Sequence, residues 1–392
     1  MKAGSSLRGA LTVFRKEIVD ALRDRRTLMV VLLSSVVLGP VVLIALSVFV
    51  ASFEARAEKR EVVVLGIEHA PSLRNYFERQ TYTVKVAPPD FEQQLRQSRL
   101  GDPVVIVPAD FEQAVLRGDA PVVEVVSDSA NKQAEGGAAR IQRLLGGFSR
   151  ERAVLQLATR GVSPDAVEPI QIEERDLAST RTRATQLTGM LPFFVIMAVL
   201  YGTFNAALDT TAGERERGSL EPLLMNPTER VAIVLGKWGA VACLGMLIAL
   251  LSCFSFLPAQ WLLRSDTLQA MFQYGLREAL LFLAVLLPLA AALAAVLMAV
   301  AIRCRTFKEA QANSSVVILA VSLLPLTTMF DEGEARWHLW VPALAQNVLM
   351  TRVLRGEGVG LEQAIASVVV CLALTVAGVW FVARRLHTAA VR

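Results

Sequence analysis

The sequence predicts an α-helical polytopic membrane protein: six transmembrane helices, with an α/β extracytoplasmic domain inserted between the first and second. Three observations carry this. Six charge-free apolar runs occupy 27–53, 184–208, 238–263, 279–302, 310–330 and 363–383, each near the roughly 20 residues that cross hydrocarbon. The hydrophobic fraction of the 392 residues is 54%, and the mean hydropathy is positive. The one long polar stretch, 52–186, carries 18 basic and 20 acidic side chains, against 22 and 16 in the remainder. In a bilayer only helices or closed barrels satisfy the backbone, and runs this rich in Leu, Val and Ala are helices.

The elements follow in chain order. Residues 1–27 form a cytoplasmic N-terminus in which Leu11, Phe14, Ile18 and Leu22 share one helical face, while Arg15, Lys16 and Arg23 lie mostly elsewhere. That pattern predicts an amphipathic helix lying in the membrane interface. The first span covers 28–53. It is an uncleaved anchor rather than a signal peptide: its apolar run exceeds the roughly 7–15 residues of a signal core, and Glu54 and Arg56 crowd the small-residue site Ala55-Arg56-Ala57.

Orientation comes from Lys and Arg in short loops. The N-terminus, the 209–230 and 303–309 loops and the tail hold sixteen basic residues; the 264–278 and 331–362 loops hold five. Both termini are therefore expected in the cytoplasm of a bacterial inner-membrane protein, with 54–186 outside. Within that segment Glu61–Ile67, Thr81–Val86, Pro103–Pro108 and Pro121–Ser127 read as strands. Phe91–Arg99 and Asp110–Arg117 read as helices between them, giving a β-α-β-α-β order from Thr81 onward. Gly136–Arg160 reads as a longer helix interrupted near Gly146-Gly147. The remaining five spans, with a charged cytoplasmic segment at about 210–227, make up 187–392. Between the last two spans, 337–351 is too short and polar to cross. Trp337 and Trp340 suit a headgroup-level anchor, which fits a re-entrant or interfacial piece or a simple loop.

Most enzyme chemistry is excluded. His69, His338 and His387 are too scattered for a zinc motif, and there is no nucleophile elbow. Gly236-Lys237 is followed by Trp238 and lacks the preceding phosphate-loop glycine, that position being Val231, so the chain has no nucleotide-hydrolysing loop of its own. Cys243 and Cys253 fall about 15 Å apart on one helix, too far to bridge. No cofactor site is indicated. The basic excess belongs to the membrane part, where it sets orientation, and is not a nucleic-acid footprint.

The informative stretch is Gly213-Glu214-Arg215-Glu216-Arg217-Gly218-Ser219-Leu220-Glu221-Pro222-Leu223-Leu224, closed by Asn226-Pro227. A short charged helix with an apolar patch, stopped by prolines, suits docking into a groove on another protein; a solvated charged loop has the same spacing. The stretch resembles the G-E-[KR]-E-x-G-[ST]-L-E-x-L-L-x-x-P signature of the ABC type-2 permeases, in particular their sodium-exporter-like (NatB-type) branch. Arg305-Thr306-Phe307-Lys308-Glu309-Ala310-Gln311 is similar to a second piece of that branch. Pro342 through Gln346-Asn347 to Arg355-Gly356-Glu357 is similar to a third, and the span layout also matches.

The resemblance implies the permease subunit of an ATP-binding cassette exporter, not itself an enzyme. Two permease copies, as homo- or heterodimer, would be powered by separate ABC ATPase subunits that hold the ATP and magnesium. It places the ATPase-coupling residues at Glu214, Arg215, Glu216, Arg217, Gly218, Leu220 and Glu221. Polar residues in spans face an interior or pathway or bond neighbouring helices; Tyr201, Asn205, Asn313 and Ser314 are the pathway candidates. No acidic residue lies in the middle of a span, so lipid, peptide and drug-like substrates stand beside sodium. A non-transporting role, with the outer domain sensing or pulling on a partner, is the alternative.

Overall fold

The computed structural model describes residues 2–25, 29, 33–58, 60–128, 132–163, 185, 188–219, 229–272, 274–329 and 335–389. They form two compact units: residues 1–51 with 177–392, and residues 52–176.

In chain order the first unit opens with α1 (Lys2–Arg23). A π-helical turn at Leu33–Val37 leads into α2 (Leu38–Glu58), whose apolar stretch is the first span. The second unit supplies β1 (Glu61–Leu65), α3 (Pro71–Arg79), β2 (Thr83–Val86), α4 (Phe91–Arg96), β3 (Val104–Ile106), α5 (Phe111–Arg117), β4 (Glu124–Val126) and α6 (Lys132–Thr159). The first unit resumes with α7 (Leu191–Leu208), α8 (Arg230–Ala259), α9 (Asp266–Met271), α10 (Leu276–Ala301), α11 (Phe307–Leu323), α12 (Leu344–Arg355) and α13 (Leu361–Ala389).

Six of these helices are long and apolar enough to cross a membrane. Three form the core: 78% of the second span is buried, 61% of the third and 56% of the fourth, built on α7, α8 and α10. The first, fifth and sixth are buried over only 22%, 17% and 28% and present Val316, Leu319, Leu372 and Val376 outward. Small residues set the close approaches, as expected where helices cannot gain by leaving water. A methyl at Gly202 would lie 2.0 Å from Ile248, and one at Gly245 would lie 2.6 Å from Thr203 Oγ1. Between the fifth and sixth spans the chain enters the bundle as α12, with Leu344, Gln346, Asn347 and Met350 buried; 337–351 is thus an inserted helix preceded by a 3₁₀ turn, Arg336–Trp340.

The second unit is a four-stranded sheet of order β2-β1-β3-β4, parallel except for β3–β4. Successive side chains of β1 feed opposite faces. Val62 and Val64 join Leu73, Phe77, Phe111, Ile141 and Phe148 under α3, α5 and α6, while Val63 joins Phe91, Leu95 and Val104 under α4. Two expectations need correction. Gly146-Gly147 does not interrupt α6, which is continuous. A methyl at Gly147 would lie 2.4 Å from the Tyr76 hydroxyl, so this glycine admits a close neighbour rather than a break. The sequence reading also passed over α3, although Pro71 at its first turn and Leu73, Tyr76 and Phe77 on its buried face are ordinary helix signals.

Candidate functional site

One end of the bundle gathers charge. Lys237, in the first turns of α8, is 2% exposed. Its ammonium donates to Glu17 Oε1 of α1 at 2.9 Å, to Glu214 Oε2 at 2.5 Å and to the Thr210 carbonyl at 3.0 Å. All three of its protons thus have acceptors. Glu17 and Glu214 are themselves buried. Lys16 completes the cluster from the rim, 3.0 Å from Glu214 Oε1 and 3.1 Å from Glu17 Oε1. Desolvation pulls the Lys16 pKa down, but the bonds and charges of Glu214 and Glu17 more than reverse this, leaving it above the ordinary lysine value.

Local sequence explains why these groups meet. Asp209–Gly213 continues α7 as a π-helical turn, a wider coil found often at functional sites, and its Thr210 carbonyl is the one Lys237 takes. On α8, Gly236 and Gly239 leave a flat strip for α1: a methyl at Gly236 would lie 2.7 Å from the Ala10 carbonyl oxygen, and one at Gly239 would lie 3.3 Å from Phe14. The face of α1 bearing Val13 and Glu17 is therefore buried, while Leu7, Leu11 and Leu22 stay exposed. Beside the cluster is a cavity of about 280 Å³, whose acidic lining includes Asp20, Asp24 and Asp209 as well as the two buried carboxylates.

The turn after Gly213 is fastened to a second loop. The Arg215 guanidinium donates to the Ile302 and Cys304 carbonyls at 3.1 and 2.9 Å, satisfying orphan acceptors at the end of α10. Glu216 Oε2 accepts from the Phe307 amide at 2.6 Å, at the start of α11. That start is otherwise capped within its own motif: Thr306 Oγ1 accepts from the Glu309 amide, and Glu309 Oε2 accepts from the Arg305 amide. Two sequence motifs, their contacting residues 91 positions apart, are thus one bonded structure.

Of the seven expected coupling residues, Glu214 faces inward and is committed to the lysines, and Arg215 and Glu216 are committed to the 302–307 loop. Arg217 is exposed and donates to the Asp209 carbonyl at 3.3 Å. Gly218 has a φ of +67° with open space around it. Leu220 and Glu221, with Pro222 through Pro227, lie outside the described residues. Among the pathway candidates, Tyr201 is 46% exposed on an otherwise buried helix, and Asn205 donates to its carbonyl at 2.9 Å. Asn313 donates to Cys304 Sγ at 3.2 Å, and Ser314 is buried, its hydroxyl without a partner among the described residues. No hydrogen bond joins these two pairs among the described residues. Sequence reasoning missed Lys237 and Glu17. A lone lysine directly before an apolar run, facing an amphipathic helix that carries a glutamate among its lysines and arginines, was the available signal.

Six spans around an apolar core, with the polar tie-points at their ends, define a multi-pass membrane protein. The comparison with known sequences makes this particular: residues 30–384 match the family described as ABC-2 family transporter protein, and the chain belongs to that family. It is 26% identical over 355 residues to the ABC transporter permease protein NatB of Bacillus subtilis (strain 168), covering 88% of this chain and 89% of that one.

Proposed function

We propose that this chain is the permease of an ATP-driven exporter, gripped on its cytoplasmic side by a separate ABC ATPase at 213–227, with both termini on that side and residues 54–186 outside. The observation that carries the reading is the fastening of the Glu214–Glu216 turn to several elements at once. Glu214 ties it to α1 and α8, while Arg215 and Glu216 tie it to the end of α10 and the start of α11. A force applied to such a turn moves several spans together, as a coupling element must. The signature then divides its labour: Glu214, Arg215 and Glu216 transmit within the permease, and Arg217, Gly218, Leu220 and Glu221 meet the ATPase. ATP and magnesium belong to that partner. Two permease copies enclose the path, with the exposed Tyr201 and the half-buried Asn205 on the wall that a second copy would close. The NatB name of the relative supports a permease role and leaves the substrate open.

The test is purification of the tagged full chain from native membranes. A P-loop ATPase is expected to co-purify, and Arg217→Glu combined with Glu221→Lys is expected to abolish its recovery while the permease stays folded. Recovery unaffected by the double reversal, or no ATPase with the unaltered chain, contradicts the reading. ATP-dependent accumulation of substrate in inverted vesicles separates export from a purely mechanical role.

A further inference from the structure

The fifth and sixth spans, on α11 and α13, are buried over only 17% and 28%. Between these helices and α10 runs a groove of about 630 Å³, within the size range of small-molecule sites. Its body is apolar, walled by Val296, Val316, Val317, Leu374 and Phe381. Its floor is a close helix crossing, where a methyl at Gly378 would lie 2.9 Å from the Ala295 backbone. One end is different. Arg303 lines it, exposed, and among the described residues no carboxylate or carbonyl engages its guanidinium. Glu309, also in the lining, has an oxygen occupied by the Arg305 amide at 2.8 Å. Arg385 sits over the Phe381 ring, 5.5 Å from its centroid.

An apolar trough with, at its mouth, a guanidinium that no described carboxylate or carbonyl engages matches an amphiphile with a hydrocarbon tail and an anionic head. We propose that this groove binds an anionic membrane phospholipid, its phosphate on Arg303 and one acyl chain along the α11–α13 wall. Basic pockets between spans at the cytoplasmic leaflet take acidic headgroups, and an unoccupied guanidinium offers a phosphate two parallel donors. A second copy of the chain fits less well, because its apolar helix face would cover Arg303 without supplying an anion. The inference rests on the proposed orientation, which puts Arg303 at the cytoplasmic leaflet, and not on the ATPase partnership.

Native mass spectrometry of the full chain in detergent supplemented with phosphatidylglycerol or phosphatidylcholine tests it. Phosphatidylglycerol is expected to be retained preferentially, and Arg303→Gln to lower that retention about fivefold. Ala377→Trp, which fills the groove from α13, is expected to lower it further, while Arg277→Gln at the far end of α10 leaves it unchanged. The proposal is overturned if retention ignores both groove variants, if inorganic phosphate alone displaces the lipid, or if Val316→Cys cross-links two copies in membranes, since a second copy then fills the groove. Failure of any of these leaves ATPase co-purification as a separate result.

Discussion

The two ends of the span bundle solve the same problem with different chemistry. At one end Lys237, Glu17 and Glu214 bury three charges in mutual contact. At the other, the inserted helix α12 uses neutral groups. Gln346 accepts from the Ala343 amide at 2.7 Å and donates to Ser367 Oγ at 2.7 Å and Cys371 Sγ at 3.4 Å. Ala343 itself has a φ of +69°, a sparsely populated backbone costing about 1–3 kcal/mol, and the Gln346 carbonyl holds it there. Neutral amide and hydroxyl bonds in membrane proteins contribute about 0.6 kcal/mol each. A buried charge left without its partner costs about 3–5 kcal/mol. The charged end is therefore the sensitive one, and it is the end that carries the family signature.

That contrast can be broken in order of effect. Lys237→Met leaves two buried carboxylates with only Lys16, at the rim, as shared counter-charge, and a loss toward the lower end of about 3–5 kcal/mol is expected. It is read as a large fall in the melting temperature of the detergent-purified protein. Adding Glu17→Gln and Glu214→Gln to that variant should restore most of the loss, since the charges are then gone together; a triple variant as unstable as the single one would show the cluster is not ionic. Gly236→Leu drives a side chain into the Ala10 carbonyl and should cost about 1–3 kcal/mol, with α1 becoming protease-sensitive. Gln346→Leu strands the Ala343 amide, an expected loss of about 1–3 kcal/mol, again by thermal unfolding. Smallest is Ser367→Ala, which removes one of two acceptors of the Gln346 amide and should cost about 0.6 kcal/mol. If this last pair of losses exceeded that of Lys237→Met, the ranking of the two ends would be reversed.

The spans were legible because apolar runs are bounded by charge, and the same rule set their errors. The third run begins at 238 when cut at Lys237, whereas α8 starts at Arg230; the lysine sits inside the helix because Glu17 and Glu214 neutralise it. The lysine's place before the run hints at a counter-charge, but nothing local says that it lies 220 residues away. The second run extends back to 184, ahead of α7 at Leu191; of the residues between, Thr185 and Thr188 are helical and part of the stretch lies outside the described residues. In the α/β unit all four strands fell where Val-rich segments were bounded by turn residues, each a little shorter than read. The signature singled out the segment proposed to couple, but not that Glu214 points inward: a charged residue reads as exposed until its counter-charges are placed.

Transmission through the Glu214–Glu216 turn is tested most directly at Glu216. In the reconstituted complex of chain and ATPase, Glu216→Ala frees the Phe307 amide without touching Lys237 or the exposed end of the signature. The ATPase is expected still to bind the variant while ATP-driven transport falls by about tenfold, the loss of one charge-assisted bond. Transport at the unaltered rate, with the ATPase bound, would contradict transmission by this route.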